Sequence, residues 1–342
     1  MRATFLTTTM LVGLAAGALP TQAAGTLNLV CSADVKWCEL TEKLFEKDHA
    51  DIDVNMVRMS SGEAYARVRA EARNPKTDIW WAGTGDPHLQ AAADKLTLEY
   101  KSPMLDQLQP WAQKQAEVSG YRTVGVYSGA LGWGYNTDIL AKKNLEAPQC
   151  WKDLTSDKYK GEIQIANPNS SGTAYTALAT LVQLMGEEPA FEYLKALNAN
   201  VTQYTKSGSA PVKAAARGET GIGIVFMHDA VAMTKEGFPV KTVAPCEGTG
   251  FEVGSMSIVK GAKNLDNAKT FYDWALTAEV QSHAAEAGSF QLPSNAKASV
   301  PPEAPKLGEI KLIDYDFAKY GDSATRKALL ERWDKEIGAT AN

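Results

Sequence analysis

The stretch 161–187 reads GEIQIANPNSSGTAYTALATLVQLMGE, and this order of residue types leaves few folds open. Residues 163–166 are a short apolar run with the length of a buried strand. Asn167-Pro168-Asn169 breaks the run with turn residues. Ser170-Ser171-Gly172-Thr173 then leads into a helix whose apolar positions include Ala177, Leu178, Leu181, Val182 and Leu184. A strand that passes through a Ser/Gly loop into a helix leaves several backbone N–H groups without intrahelical acceptors. Those groups, the helix dipole and nearby hydroxyls favour a bound anion. In one isolated loop, Ser171 or Thr173 is simply a helix cap. Here the pattern recurs along the chain.

Residues 27–30 read as a strand ending at Cys31-Ser32-Ala33-Asp34, before a helix to about residue 47. Residues 52–59 form the next strand, and Ser60-Ser61-Gly62-Glu63 after it matches a capping box. A third strand, 78–81, runs into Ala82-Gly83-Thr84-Gly85-Asp86 and a helix from about His88. Such alternation predicts a parallel, doubly wound α/β sheet. Ligands of these sheets bind beyond the carboxyl ends of the strands, where Ser32, Ser60, Ser61 and Thr84 fall.

Two extended segments, 123–127 and 130–135, joined by Ser128-Gly129, carry the chain into a second lobe. That lobe holds the opening stretch, then a strand at 201–205 before the loop Lys206-Ser207-Gly208-Ser209. A strand at 221–226 ends at Met227-His228-Asp229, and residues 240–244 precede Pro245-Cys246-Glu247. Residues 251–259 read as a crossing back. The segment 264–287 reads as one long amphipathic helix, and the last helices, including 325–337, are expected to pack across the lobes. The divisions are 24–128 with about 253–300 for the first lobe, 129–252 for the second, and 301–342 for the C-terminal helices.

Residues 1–23 have the pattern of a signal peptide: Arg2, an apolar region over 5–19, and Thr21-Gln22-Ala23 as a small-residue cleavage site. This implies a periplasmic or secreted protein. The remaining length suits about two domains of roughly 150 residues each. A net charge of −5 argues against a generic nucleic-acid surface, but backbone N–H groups can hold a small anion without net positive charge. Four cysteines fit an oxidising compartment and allow three pairings. Cys31–Cys38 with Cys150–Cys246 is favoured, because the first two are close in sequence and leave the others as partners. A metal site is not expected. An enzyme needs a nucleophile or metal constellation, and no G-x-S-x-G, H-E-x-x-H or Walker pattern occurs. His49 and His283 read as surface residues.

At this point a resemblance becomes specific. It is carried by DIWWAGTGDP (78–87), GWGYNTDIL (132–140), PQCWKDLTSDKYKGEIQIANPNSSGTAYTALAT (148–180), QYTKSGSAPVKAAARGE (203–219), PCEGTGFE (245–252) and LIDYDFAKYG (312–321). The chain resembles ABC-importer solute-binding proteins of the ferric-ion-binding-protein-like group, and within it the Afu-type binding proteins for hexose phosphates. The resemblance implies a two-lobed type II periplasmic-binding-protein clamshell with hinge crossings, no cofactor, a monomeric state and an inner-membrane ABC permease as partner.

Iron binders of that group use two adjacent tyrosines. The corresponding place here reads Phe226-Met227-His228-Asp229, and Tyr175 and Tyr204 are not adjacent. By resemblance, a phosphate group lies among Ser32, Ser61, Gly62, Thr84, Ser171, Gly172, Thr173, Ser207 and Gly208, with Lys206 able to add charge. His228, Asp229 and Glu247 are assigned to the sugar end, which needs acceptors and two-sided hydrogen bonding. An organophosphonate or ferric ion remains an alternative ligand, and a phosphatase the best enzyme alternative.

Overall fold

The structure, a computed structural model, describes residues 25–340; the segment 1–23 lies outside the described residues. The described residues form ten strands: β1 (Gly25–Cys31), β2 (Ile52–Arg58), β3 (Ile79–Trp81), β4 (Val124–Asn136), β5 (Ile163–Ala166), β6 (Val201–Thr205), β7 (Ile222–Phe226), β8 (Val240–Val243), β9 (Phe251–Ile258) and β10 (Leu292–Pro293). The strand order is β2-β1-β3-β9-β4-β7-β5-β6. Parallel pairing holds within β2-β1-β3 and within β7-β5-β6, the two runs in which strand and helix alternate along the sequence.

The crossing strands differ from a purely parallel sheet. β9 runs antiparallel to both β3 and β4, and β4 runs antiparallel to β7 and β8. The segments 123–127 and 130–135 are not separate strands. They form one continuous strand, β4, which pairs with β9 along 124–130 and with β7 and β8 along 131–136. A single strand is thus shared by the sheets of both lobes.

Each lobe closes its own core. Leu27, Leu29, Ile79, Met256, Ile258 and Phe271 are buried together in the first. Trp133, Trp151, Ile163, Tyr175, Phe191 and Ile224 are buried in the second. The C-terminal helix Ser323–Glu336 adds Leu329 and Trp333 to that second core, and meets the first lobe where Ser323 Oγ donates to Asp94. The expected long helix over 264–287 is interrupted: Leu265–Ala275 and Ala278–Ser282 are separate helices, followed by a 3₁₀ turn at Ala284–Ala287. The break is made by Thr277, whose side chain accepts from Val280 N–H and starts a new helix.

Cys31 is bonded to Cys38, pinning the end of β1 to the helix Val35–Asp48. Cys150 is bonded to Cys246, with Cα atoms 4.8 Å apart, tying the entry of the second lobe to the segment that leaves it. The two bridges span sequence separations of 7 and 96 residues. On loop-closure entropy alone, opening Cys150–Cys246 by paired Ser substitution should cost about 2 kcal/mol more than opening Cys31–Cys38. Urea unfolding of the two variants measures the difference.

Candidate functional site

Strand ends and helix starts of both lobes face each other across a cavity of about 290 Å³. From the first lobe come Ser32 beyond β1, Arg58 at the end of β2, Ser61 at the start of the helix Ser61–Ala70, and Gly83-Thr84 before the helix Gly85–Ala93. From the second come Ser171, Gly172 and Thr173 at the start of the helix Gly172–Met185, and Gly208 in the loop after β6. The capping box is formed: Ser60 N–H donates to Glu63 at 3.2 Å and aims the helix at the cavity.

The hydroxyls are oriented by the protein. Ser32 Oγ accepts from Trp80 Nε1 at 2.9 Å, Ser61 Oγ from Thr84 N–H at 3.1 Å, and Ser171 Oγ from Ala174 N–H at 3.4 Å. Each oxygen already accepts a bond, so each hydroxyl has its own proton left to place. Thr84 Oγ1 is buried with no partner. An acceptor-rich ligand satisfies the three serine hydroxyls.

The lobes meet closely enough that side chains are excluded. A Cβ on Gly172 would strike Thr84 Oγ1, and one on Gly62 would strike Asn169 O; within the second lobe, one on Gly208 would strike Thr173 Oγ1. Gly83 has φ +89°, and a Cβ there would also collide with Ser61 and Ser32. Polar bonds cross the same gap. Arg58 donates to Ser207 Oγ at 3.2 Å, Lys213 pairs with Asp34, and Lys36 pairs with Glu236 at 2.5 Å. The structure is therefore a closed clamshell.

The same cavity is lined by His228, Asp229, Glu252 and Gln291. His228 Nε2 lies 3.7 Å from Asp229, 3.8 Å from Glu252 and 3.3 Å from Gln291 Nε2. Burial pushes the imidazole down to about 3, so the ring is neutral at physiological pH. Burial pushes Asp229 up to about 7, with the negative charge of Asp34 adding to it and Lys213 and Arg58 opposing. Glu252, 3% exposed, is raised well above the usual carboxylate range by burial and then by Asp229. Asp34 goes the other way: burial opposes its ionisation, but the hydrogen bond and charge of Lys213 outweigh burial.

Several expected residues are placed elsewhere. Gly62 N–H donates to Ser170 O at 3.0 Å across the lobe contact, so it is spent on the protein. Ser207 is held by Arg58 outside the cavity wall. Lys206 is exposed and pairs with Glu63 at 2.5 Å. Glu247 lies beside the Cys150–Cys246 corner, where its carboxylate accepts from the N–H groups of Trp151 (2.8 Å) and Lys152 (3.1 Å). It has no face toward the cavity. Asp229 does not end a strand; it sits in the first turn of the helix Met227–Lys235.

Arg58, Asp34, Lys213, Glu252 and Gln291 are the residues that sequence reasoning missed. Glu252 had a signal, as the one charged residue in the apolar run FEVGSMSIV. Arg58 had a weaker one, a cation two residues before a Ser-Ser-Gly loop.

The sequence profile of the bacterial extracellular solute-binding proteins matches residues 74–320. The chain belongs to that family. It is a periplasmic solute-binding protein of ABC transport, a binding protein and not an enzyme. It is 49% identical to the periplasmic binding protein AfuA of Actinobacillus pleuropneumoniae, solved with exogenous fructose 6-phosphate bound; the match covers 92% of this chain and 99% of that one, with a TM-score of 0.89. The periplasmic binding protein P5PA is 39% identical over the same shares, with a TM-score of 0.88. Iron-bound HitA of Pseudomonas aeruginosa, at 19% identity over 90% of this chain and 98% of that one and a TM-score of 0.75, shares the fold. In this solute-binding protein the two tyrosines weighed as iron ligands are committed elsewhere: Tyr175 donates to Tyr320 O at 2.7 Å and Tyr204 to Asn198 at 2.8 Å.

The raised Asp229 fixes the sign of a pH effect. Its carboxyl binds a proton more tightly folded (about 7) than at its ordinary 3.8, so its stabilising contribution is complete below about 4 and is lost as pH rises through about 7. Ligand-free protein should therefore lose stability between those limits. Asp229→Asn should flatten that slope and raise stability by about 1–3 kcal/mol above neutral pH. Thermal melts of parent and variant at several pH values measure it.

Proposed function

We propose that the cleft captures a phosphorylated sugar, a hexose phosphate, and delivers it to the inner-membrane permease of an ABC importer, the protein acting as a monomer. The observation that carries this reading is the set of hydroxyls at Ser32, Ser61 and Ser171, whose oxygens are already used as acceptors and whose protons face one cavity. Three helix starts add dipoles and backbone N–H groups aimed the same way. Arg58 adds a charge. Together they suit a phosphate held between Ser32, Ser61, Thr84, Ser171, Gly172, Thr173 and Gly208.

The far end suits a polyol. Asp229 and Glu252 offer carboxyl oxygens to sugar hydroxyls, and a neutral His228 both donates and accepts. A volume of about 290 Å³ is at the small end for ligand pockets, the scale of a single phosphorylated monosaccharide. The likeness to a relative solved with fructose 6-phosphate supports the same ligand class. A second reading, an organophosphonate carrying an amine, draws on the two carboxylates at that end, which also suit a cation. Calorimetry of the ligand-free protein against fructose 6-phosphate, glucose 6-phosphate, glucose, an aminoalkyl phosphonate and ferric citrate separates these readings. Hexose phosphates should bind and glucose should not; equal affinity for glucose and its phosphate overturns the proposal.

The two ends should also separate by substitution. Asp229→Ala should weaken hexose-phosphate binding about ten- to a hundredfold, the value of one hydrogen bond to a charged group, while leaving inorganic phosphate unaffected. Thr173→Ala should weaken both ligands. An Asp229→Ala protein that binds hexose phosphate as the parent does removes Asp229 from the sugar end.

A further inference from the structure

Outside the ligand cavity, one buried carboxyl crosses from the first lobe to the second. Asp86 stands in the first turn of the helix Gly85–Ala93, two residues beyond Thr84, and is not part of the cavity wall. It is 2% exposed. Its Oδ2 accepts from Thr176 Oγ1 (3.4 Å) on the helix Gly172–Met185 and from Tyr315 Oη (3.2 Å), whose ring belongs to the second core. Its Oδ1 is buried with no hydrogen-bond partner among the described residues.

The surroundings do little to hold a charge there. Arg326, on the C-terminal helix, is stacked on the Tyr175 ring at 3.8 Å and acts on Asp86 through space, with no ion pair among the described residues. Tyr175 and Tyr315 are phenols that burial keeps neutral, and Tyr320 lies next to Tyr315. Glu252 of β9 faces Asp86 as a second acid. Tyr65, on the helix Ser61–Ala70, bonds Asp94 beyond the other end of the Asp86 helix. A buried carboxyl held by two neutral hydroxyls and no ion pair is driven toward its protonated form.

We propose that Asp86 is a positioning residue for closure: each time the lobes meet, it takes a proton from solvent and enters the second lobe against Thr176 and Tyr315, so that capture of ligand is coupled to proton uptake outside the ligand cavity. Parting the lobes returns the carboxyl to water, where its ordinary value is 3.8. Closed, burial raises it to about 6 against the opposing pull of Arg326 and the two hydroxyls. The contribution to closure is therefore complete below about 4 and is lost as pH rises through about 6. Apparent affinity follows, because a ligand held by the closed form binds in proportion to the closed fraction.

Asp86→Asn keeps the size and an acceptor oxygen and removes the titration. Only the choice of fructose 6-phosphate as probe rests on the proposed function. Between pH 5 and pH 8 the parent should lose about tenfold more affinity for it than Asp86→Asn does, a comparison in which the titrations of Asp229, Glu252 and the phosphate itself cancel. Calorimetry at pH 5 in buffers of different ionisation enthalpy should show the parent taking up most of one proton more than the variant. Tyr315→Phe, which strips the carboxyl of one of its two donors, should lose more affinity than the parent over the same pH step. Equal losses in parent and Asp86→Asn, or a smaller loss in Tyr315→Phe than in the parent, overturn the proposal. Small-angle scattering of ligand-free protein separates this from a wrong choice of ligand. From pH 5 to pH 8 the radius of gyration should rise more in the parent than in Asp86→Asn, and equal behaviour of the two overturns the coupling whatever the cleft binds.

Discussion

The site depends on an approach of two backbones so close that no side chain fits between them. Gly172 stands against Thr84, and Gly62 against Asn169, at separations that leave no room for a β-carbon. Gly62 makes a direct backbone bond to Ser170 between the same two surfaces. Only this contact brings hydroxyls from β1 and the helix Ser61–Ala70 into one space with those of the helix Gly172–Met185. A larger residue at Gly62 or Gly172 would hold the halves apart, and the polar groups of each would face water separately.

Charge is distributed along the cleft so that the ends differ. In a chain with a net charge of −5 and acids in its cavity, the proposed anion site is built mainly of neutral donors, hydroxyls and backbone N–H groups fixed in direction. The cations nearby are largely engaged by protein partners, Lys213 by Asp34 and Lys36 by Glu236. At the opposite end, burial makes Asp229 and Glu252 reluctant to ionise together, which separates an anion-accepting pole from an acidic one.

The strand–loop–helix units were legible in the sequence because their signals are local. An apolar run, a Ser/Gly break and a capping residue lie within about a dozen positions, and the strands 163–166 and 201–205 fall where that pattern put them. What could not be read is set by long-range register. In PCEGTGFE the two glutamates are nearly equivalent by composition, yet Glu252 pairs opposite Gly129 in the β4–β9 ladder and faces the cavity. Glu247 turns instead to the disulfide corner. Likewise Arg58 and Lys213 look like any solvated cation until the facing lobe supplies Ser207 and Asp34. The continuity of β4 was hidden by Ser128-Gly129, a pair that reads as a turn but is accommodated here as buried strand.

That shared strand has a mechanical consequence. Because β4 threads both sheets and each half completes its own core on either side of it, parting the halves leaves both interiors intact. What separation must break are the bonds that span the gap, the exposed ion pairs and the buried bonds that Asp86 accepts from Thr176 and Tyr315. On the proposed function, an empty protein would differ from a filled one by an angle about one axle, and its membrane partner would read occupancy from shape without touching the cargo.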